Sequence, residues 1–255
     1  MRTVAPGIWH IPYAPVKLFG GVRMPISSTV FRLPDRTLLL YSPGDIDEIQ
    51  AKELAVLGEV AHIVAPSLLH HLYVGHAAKR WPQAKLHGAP GLAAKRPDIR
   101  FDCVLGRDPD PAWGDAIDIE IVGGAPSLNE AVLFHRPSGT LSVADFIFNI
   151  TKPANLATRF VLAMTGTGGR ELRQSRLWRL AVRDRPAART SIDRILGWPI
   201  AHILPVHGEA ADIDVAHLAP RLARSYGAHP APRLVAPPAA MPPPLDQPAR
   251  HDEAR

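Results

Sequence analysis

Apolar and polar positions divide this chain into short strands and amphipathic helices. Val4 to Trp9 is extended in pattern. Ser27–Leu33 and Thr37–Ser42 flank Pro34-Asp35-Arg36, which predicts a β-hairpin. Asp45–Leu57 carries apolar residues at helical spacing and stops near Gly58. Val60–Ala65 reads as a buried strand, Val74–Trp81 as a helix halted by Pro82, Lys85–Gly88 as a strand and Gly91–Pro97 as a helical turn. Ile117–Val122 is strand-like, and Glu130–His135 with Thr140–Ala144 predicts a second hairpin about Pro137-Ser138-Gly139. Leu156–Met164 and Leu172–Val182 are helical in pattern. Asp184-Arg185-Pro186 then breaks into a short helix, Ser191–Gly197, followed by the strand His202–Val206. Pro220 suits the first turn of a last helix running to about Ser225.

Strands then a helix, followed again by strands then helices, predicts two sheet-forming halves with helices outside. This is an αββα four-layer sandwich. One folded unit over residues 1–228 is expected. From His229 to Arg255 proline and alanine dominate and aromatics vanish, which predicts a disordered, dispensable tail.

Three apolar runs end in residues with chemistry. They are Ala65-Pro66-Ser67-Leu68-Leu69-His70-His71, Leu141-Ser142-Val143-Ala144-Asp145 and Ile203-Leu204-Pro205-Val206-His207-Gly208. A strand end is a rigid mount, and several can converge on one point. Neutral imidazole and carboxylate together suit zinc first, with iron or manganese as alternatives. His70, His71, Asp145 and His207 are therefore the candidate ligands. Each also has a plain structural role open to it: a loop histidine for the first two, a cap on the following segment through a backbone N–H for Asp145, a satisfied core imidazole for His207. Glu130 follows a turn and is a candidate ligand or general base, paired with Asp145 as the candidate catalytic carboxylates. His76, in the helix, and His135, at the Arg136-Pro137 turn, are candidate extra ligands or supports. Glu130 and His135 are separated by an odd number of residues, so a regular strand sends them to opposite faces. His62 and His202, inside apolar strands, read as structural. Gly20-Gly21 with Arg23-Met24 reads as a plain loop, with a mobile rim for an anionic substrate as the rival.

The totals narrow the choice. With 255 residues and 46% hydrophobic positions the chain can bury a core, and 21% charged residues is ordinary for a folded protein. The net charge is +5, but the arginines are scattered. This favours a small-molecule substrate, anionic ones among the candidates, over nucleic acid. Cys103 is the single cysteine, so no internal disulfide forms and a reducing cytoplasm is expected. No basic segment followed by an apolar run opens the chain, and no apolar run reaches the ~20 residues of a membrane span. Gly166-Thr167-Gly168-Gly169 lacks the Lys-Ser/Thr of a phosphate loop, and no Ser-centred nucleophile elbow occurs.

The motifs and their order resemble the metallo-β-lactamase-like superfamily. Ser191–Glu209 is the nearest match: short helix, Gly197-Trp198-Pro199, apolar strand, then Leu204-Pro205-Val206-His207-Gly208. Thr140–Phe148 is similar to the superfamily strand that ends in a metal-bridging Asp, placing Asp145 there. The first superfamily motif, His-x-His-x-Asp-His, falls on Pro66, Leu68, His70 and His71, so two of its histidines are replaced and His stands in the Asp position. The usual later His is missing from Gly123-Gly124-Ala125-Pro126, and Leu40-Tyr41-Ser42-Pro43 stands where a hairpin Asp is usual. The Pro66-Ser67 run to His70-His71, Asn129-Glu130 and Phe134–Pro137 resemble a divergent branch without an assigned function. The resemblance implies the four-layer fold and a metal-dependent hydrolase acting on an ester, lactone, amide or phosphoester. A binding or scaffold protein with a degenerate site and an iron-dependent oxidoreductase are the alternatives.

Overall fold

The computed structural model describes residues 1–169, 171–212, 218–220 and 222. The proline-rich segment expected to be disordered lies outside the described residues. A seven-stranded sheet is built from β1 (Arg2–Ala5), β2 (Ile8–Pro12), β5 (Ser27–Arg32), β6 (Leu38–Tyr41), β7 (Val60–Ala65), β8 (Lys85–Gly88) and β9 (Cys103–Val104), in that spatial order. Between β2 and β5 a small hairpin, β3 (Val16–Lys17) and β4 (Arg23–Met24), stands apart as its own two-stranded ribbon. The segment expected to be a plain loop is this ribbon, with Phe19 fully exposed at its tip. The second sheet runs β10 (Ile117–Ile121), β11 (Ala131–His135), β12 (Thr140–Val143), β13 (His202–Pro205), β14 (Ala211–Asp212).

Period-two alternation decides which side of each strand meets which layer. Phe31, Leu39, Tyr41 and Val64 of the first sheet meet Ile117, Ile119, Leu133 and Leu204 of the second. The alternate residues Leu38, Leu40, Ile63 and Leu86 pack under α1 (Glu48–Leu57), α2 (Val74–Arg80) and α3 (Leu92–Lys95) through Leu54, Val74, Ala77 and Leu92. On the far side, Val132, Phe134, Leu141 and Ile203 pack beneath α6 (Arg185–Leu196) through Ile192, Ile195 and Leu196. The layers are therefore helix, sheet, sheet, helix. α4 (Leu156–Thr165) packs against the β3–β4 ribbon, and α5 (Arg176–Ala181) joins the outer cluster through Trp178.

Local chemistry sets the helix bounds. Asp47 accepts the Gln50 N–H and Gln50 returns the bond, a capping box that starts α1 three residues later than its apolar pattern. Asp184-Arg185-Pro186 does not break the chain. Asp184 caps α6 by accepting the Ala187 N–H at 3.0 Å, and Pro186 sits in the first turn, where its missing N–H costs nothing. α5 is shorter than its pattern, because Phe148 and Arg173 pair as a bridge and Ser175 caps the helix at Arg176. Residues 218–220 and 222 are helical, so the last helix has begun before Pro220. Among the described residues no helix is long and apolar enough to cross a membrane.

Candidate metal centre

β12 and β13 run parallel with Val143 opposite Pro205, so both strands end at one edge. Asp145 and His207 each follow two residues later and emerge side by side. His207 is fixed by the turn behind it: Gly208 has φ +120°, and a Cβ there would run into the Asn149 carbonyl. The Asn149 N–H donates to the His207 carbonyl at 3.1 Å. His70 arrives from the other sheet. After β7, Ser67 Oγ accepts the N–H groups of Leu69 and His70 at 3.2 and 3.1 Å and curls the loop. The Leu68 N–H to Leu128 carbonyl bond (2.9 Å) and the Ala131 N–H to Pro66 carbonyl bond (2.7 Å) stitch this loop to the second sheet.

One ring or carboxylate atom from each of His70, Asp145 and His207 lies within 4.8 Å of the others. His207 Nδ1 is 2.8 Å from the Pro25 carbonyl. A carbonyl only accepts, so Nδ1 carries a proton and Nε2 is turned toward the carboxylate. Nε2 lies 3.4 Å from Asp145 Oδ1. His70 Nε2 lies 3.1 Å from Asp145 Oδ2, and no other group satisfies this buried oxygen. The other side of the His70 ring, Nδ1, is 3.1 Å from Ser42 Oγ. Ser42 holds a left-handed φ of 53°, its N–H on the Val64 carbonyl (2.9 Å) and its carbonyl on Ser28 Oγ (2.6 Å). Burial by itself would raise the Asp145 carboxyl. The imidazoles, His70 foremost, outweigh it and hold the group well below the usual carboxylate range. An anionic carboxylate, two imidazoles and an unsatisfied buried oxygen fit a divalent cation.

The remaining sequence candidates lie elsewhere. Glu130 is fully buried and does not line the cavity described below. Its Oε1 accepts the Ala144 N–H at 2.8 Å and its Oε2 the Asp145 N–H at 3.0 Å, so it pins the loop that carries Asp145. Burial, then the Asp145 charge, pushes it up to about 8. His71 borders the cavity, but its Nδ1 takes a 3.0 Å bond from Arg96, and the same guanidinium holds its carbonyl. Burial, then Lys95 and Arg96, lowers its pKa. Adjacent residues leave the turn in different directions, so His70 alone joins the cluster. His76 is exposed on α2 beside Tyr73. His135 is at the far end of β11 from Glu130, a strand length of ~17 Å at ~3.4 Å per residue. Its Nδ1 bonds Ser138 Oγ at 2.8 Å, and burial lowers it to about 4. His202 pairs with the exposed Asp212 at 2.7 Å. Sequence reasoning missed Ser42 and the Pro25 carbonyl, because neither residue type signals a histidine partner.

A second His–His–Asp group lies elsewhere on the seven-stranded sheet: His62 on β7, His87 on β8 and Asp110. His62 Nδ1 and His87 Nε2 are 3.0 Å apart, and Trp113 packs against both rings. Asp110 Oδ2 bonds Lys85 Nζ at 2.6 Å and its Oδ1 accepts the Ala112 N–H at 3.0 Å. The His70 group opens on a cavity of about 510 Å³, whereas of the second group Asp110 alone borders a smaller one of about 320 Å³.

Residues 14–164 match the family model described as a domain of unknown function (DUF4336). No curated protein matches the chain in sequence. Among solved structures the chain is similar to a metallo-β-lactamase from Pontibacter korlensis, with TM-score 0.59 and 15% identity over 87% of this chain and 97% of that one. It is similar to the metallo-β-lactamase FIM-1 from Pseudomonas aeruginosa in its mono-zinc form, with TM-score 0.57 and 14% identity over 87% and 93% of the two chains. A metal-soaked Flv1 flavodiiron core from Synechocystis gives TM-score 0.58 and 8% identity, over 88% of this chain and 59% of that one. At such identities the likeness is one of fold, and this chain has the metallo-β-lactamase-like fold.

Proposed function

We propose that this chain, which belongs to the DUF4336 domain family, is a metal-dependent hydrolase built on one divalent ion, zinc in the first instance. His70, Asp145 and His207 would hold it. The observation that carries the reading is the convergence of His70 Nε2 (3.1 Å) and His207 Nε2 (3.4 Å) on the Asp145 carboxylate, whose buried Oδ2 has no hydrogen-bond partner. When bound, such an ion supplies a Lewis acid and acidifies water to a pKa near ~7. Three protein ligands would leave a position open for chemistry, the pattern of catalytic rather than structural sites. One of the similar structures is itself a mono-zinc form.

The chain's own residues prepare the site. The Pro25 carbonyl orients His207, Ser42 orients His70, and Glu130 fixes the backbone from which Asp145 projects. Apolar walls exclude bulk water and strengthen the electrostatics within. Protein prepared with zinc, manganese or iron(II) is expected to hold one equivalent, to lose melting temperature on chelation and to regain it on readdition. It is expected to hydrolyse esters or lactones. Retention of none of the three ions would favour the scaffold alternative. A second reading keeps the site and changes the metal. Two histidines and one carboxylate also suit iron(II) in oxygen chemistry, and iron retained in preference to zinc, without hydrolysis, would favour it.

A further inference from the structure

We infer that the ligand of this centre is a neutral ester or lactone carrying a long apolar chain. The inference rests on the hydrolase reading for the bond cleaved, and on the cavity for the rest of the molecule. The cavity is about 510 Å³, within the usual range for a small-molecule site. Its walls are Val16, Met24, Ile26, Phe148, Val161 and Trp178, among others, and no lysine or arginine lines it. Its acidic group is Asp145, beside His207 and His70. Beyond the ion itself, an anionic substrate would leave water for an apolar wall with no cationic side chain to balance its charge, which is costly. An alkyl chain meets the opposite conditions.

The mouth continues the same chemistry. Leu18, Leu69, Leu72 and Leu177 line the cavity and stay 49%, 53%, 61% and 62% exposed. An apolar rim of this kind marks a binding site more often than chance exposure. The rim is anchored, since Asn155 Nδ2 donates to the Gly21 carbonyl at 2.9 Å and the Arg23 N–H donates to Thr158 Oγ1 at 2.8 Å. These bonds tie α4 to the hairpin that bears Leu18. The reaction places the acyl carbon near the His70–Asp145–His207 end and the chain along the wall. Water adds to the acyl carbon, the C–O bond breaks, and an acid and an alcohol leave, with a lactone giving the hydroxy acid.

The test separates binding from chemistry. Metal-free protein is titrated with methyl esters from acetate to dodecanoate, and with the carboxylates of the same lengths, following tryptophan fluorescence. Loss of the signal in Trp178→Phe assigns it to the cavity. Affinity is expected to rise about two- to fourfold per methylene until the cavity is full, and each carboxylate to bind at least tenfold more weakly than its ester. Val161→Trp, which fills the cavity from α4, is expected to shorten the longest chain accepted. Affinity independent of chain length, carboxylates binding as tightly as esters, or an unchanged cut-off in a folded Val161→Trp protein would each overturn the inference. Metal-loaded protein that binds the series and cleaves none of it would end the hydrolase reading and leave the ligand class standing.

Discussion

The groups His70–Asp145–His207 and His62–His87–Asp110 use the same side-chain types at similar spacing, yet their surroundings differ. In the second, His62 and His87 share a proton at 3.0 Å and Asp110 is spent on Lys85 and a backbone N–H. Donors and acceptors balance there, and Trp113 seals both rings. In the first, the Pro25 carbonyl orients His207, Glu130 occupies the Asp145 N–H, and two imidazole nitrogens and a carboxylate converge beside an open cavity with no ammonium group among them. Whether a cluster of ligand residues is left open to a cation depends on the partners its neighbours supply.

Acid should destabilise the fold through histidines that burial keeps neutral, His87 of the second cluster among them. Burial, chiefly, lowers His87 to about 4, as it does His10 and His135. Each stays neutral in the fold while the unfolded chain takes up a proton below about 6.5, so stability is full above that pH and is lost as pH falls toward about 4. The loss is about 1.4 kcal/mol per pH unit for each fully buried group as an upper bound. Melting temperatures of metal-free protein are expected to fall steadily between pH 6.5 and 5. A flat profile would mean these histidines are not held neutral.

His207→Ala should lower metal affinity on the order of 100-fold or more, since loss of a direct ligand exceeds loss of its supports. Competition with a chromogenic chelator measures it. His87→Ala should leave that affinity unchanged while destabilising the fold by about 2 kcal/mol, as for other buried polar networks that lose a member. An equal loss of metal in both variants would erase the distinction between the clusters. Lys85→Met is the smallest step. Lys85 is 43% exposed, so its pair with Asp110 contributes under about 1 kcal/mol. Metal stoichiometry by elemental analysis should stay at one equivalent. A second equivalent would show that the Lys85 ammonium alone keeps the second cluster free of metal.

The sequence by itself determined the layers, because alternation and helical spacing are local and each strand carries its own two faces. It determined that Asp145 and His207 stand at strand ends, for the same reason. Tertiary structure decided the rest. His70 and His71 are indistinguishable as neighbours in a loop, and the bonds from Ser67, Ser42 and Arg96 separate them. Glu130 has the chemistry of a catalytic base, but the return of β12 alongside β11 commits both its oxygens to backbone N–H groups. His135 ends β11 opposite Thr140, at the start of β12, whereas Asp145 follows the other end of that strand. His87 and Asp110 carry no local sign of meeting His62, since they approach it across neighbouring strands and a loop. Residue type and spacing report which groups are present. Which acceptors remain unsatisfied depends on partners far away in the chain, and only the packed sheets bring those partners within bonding distance.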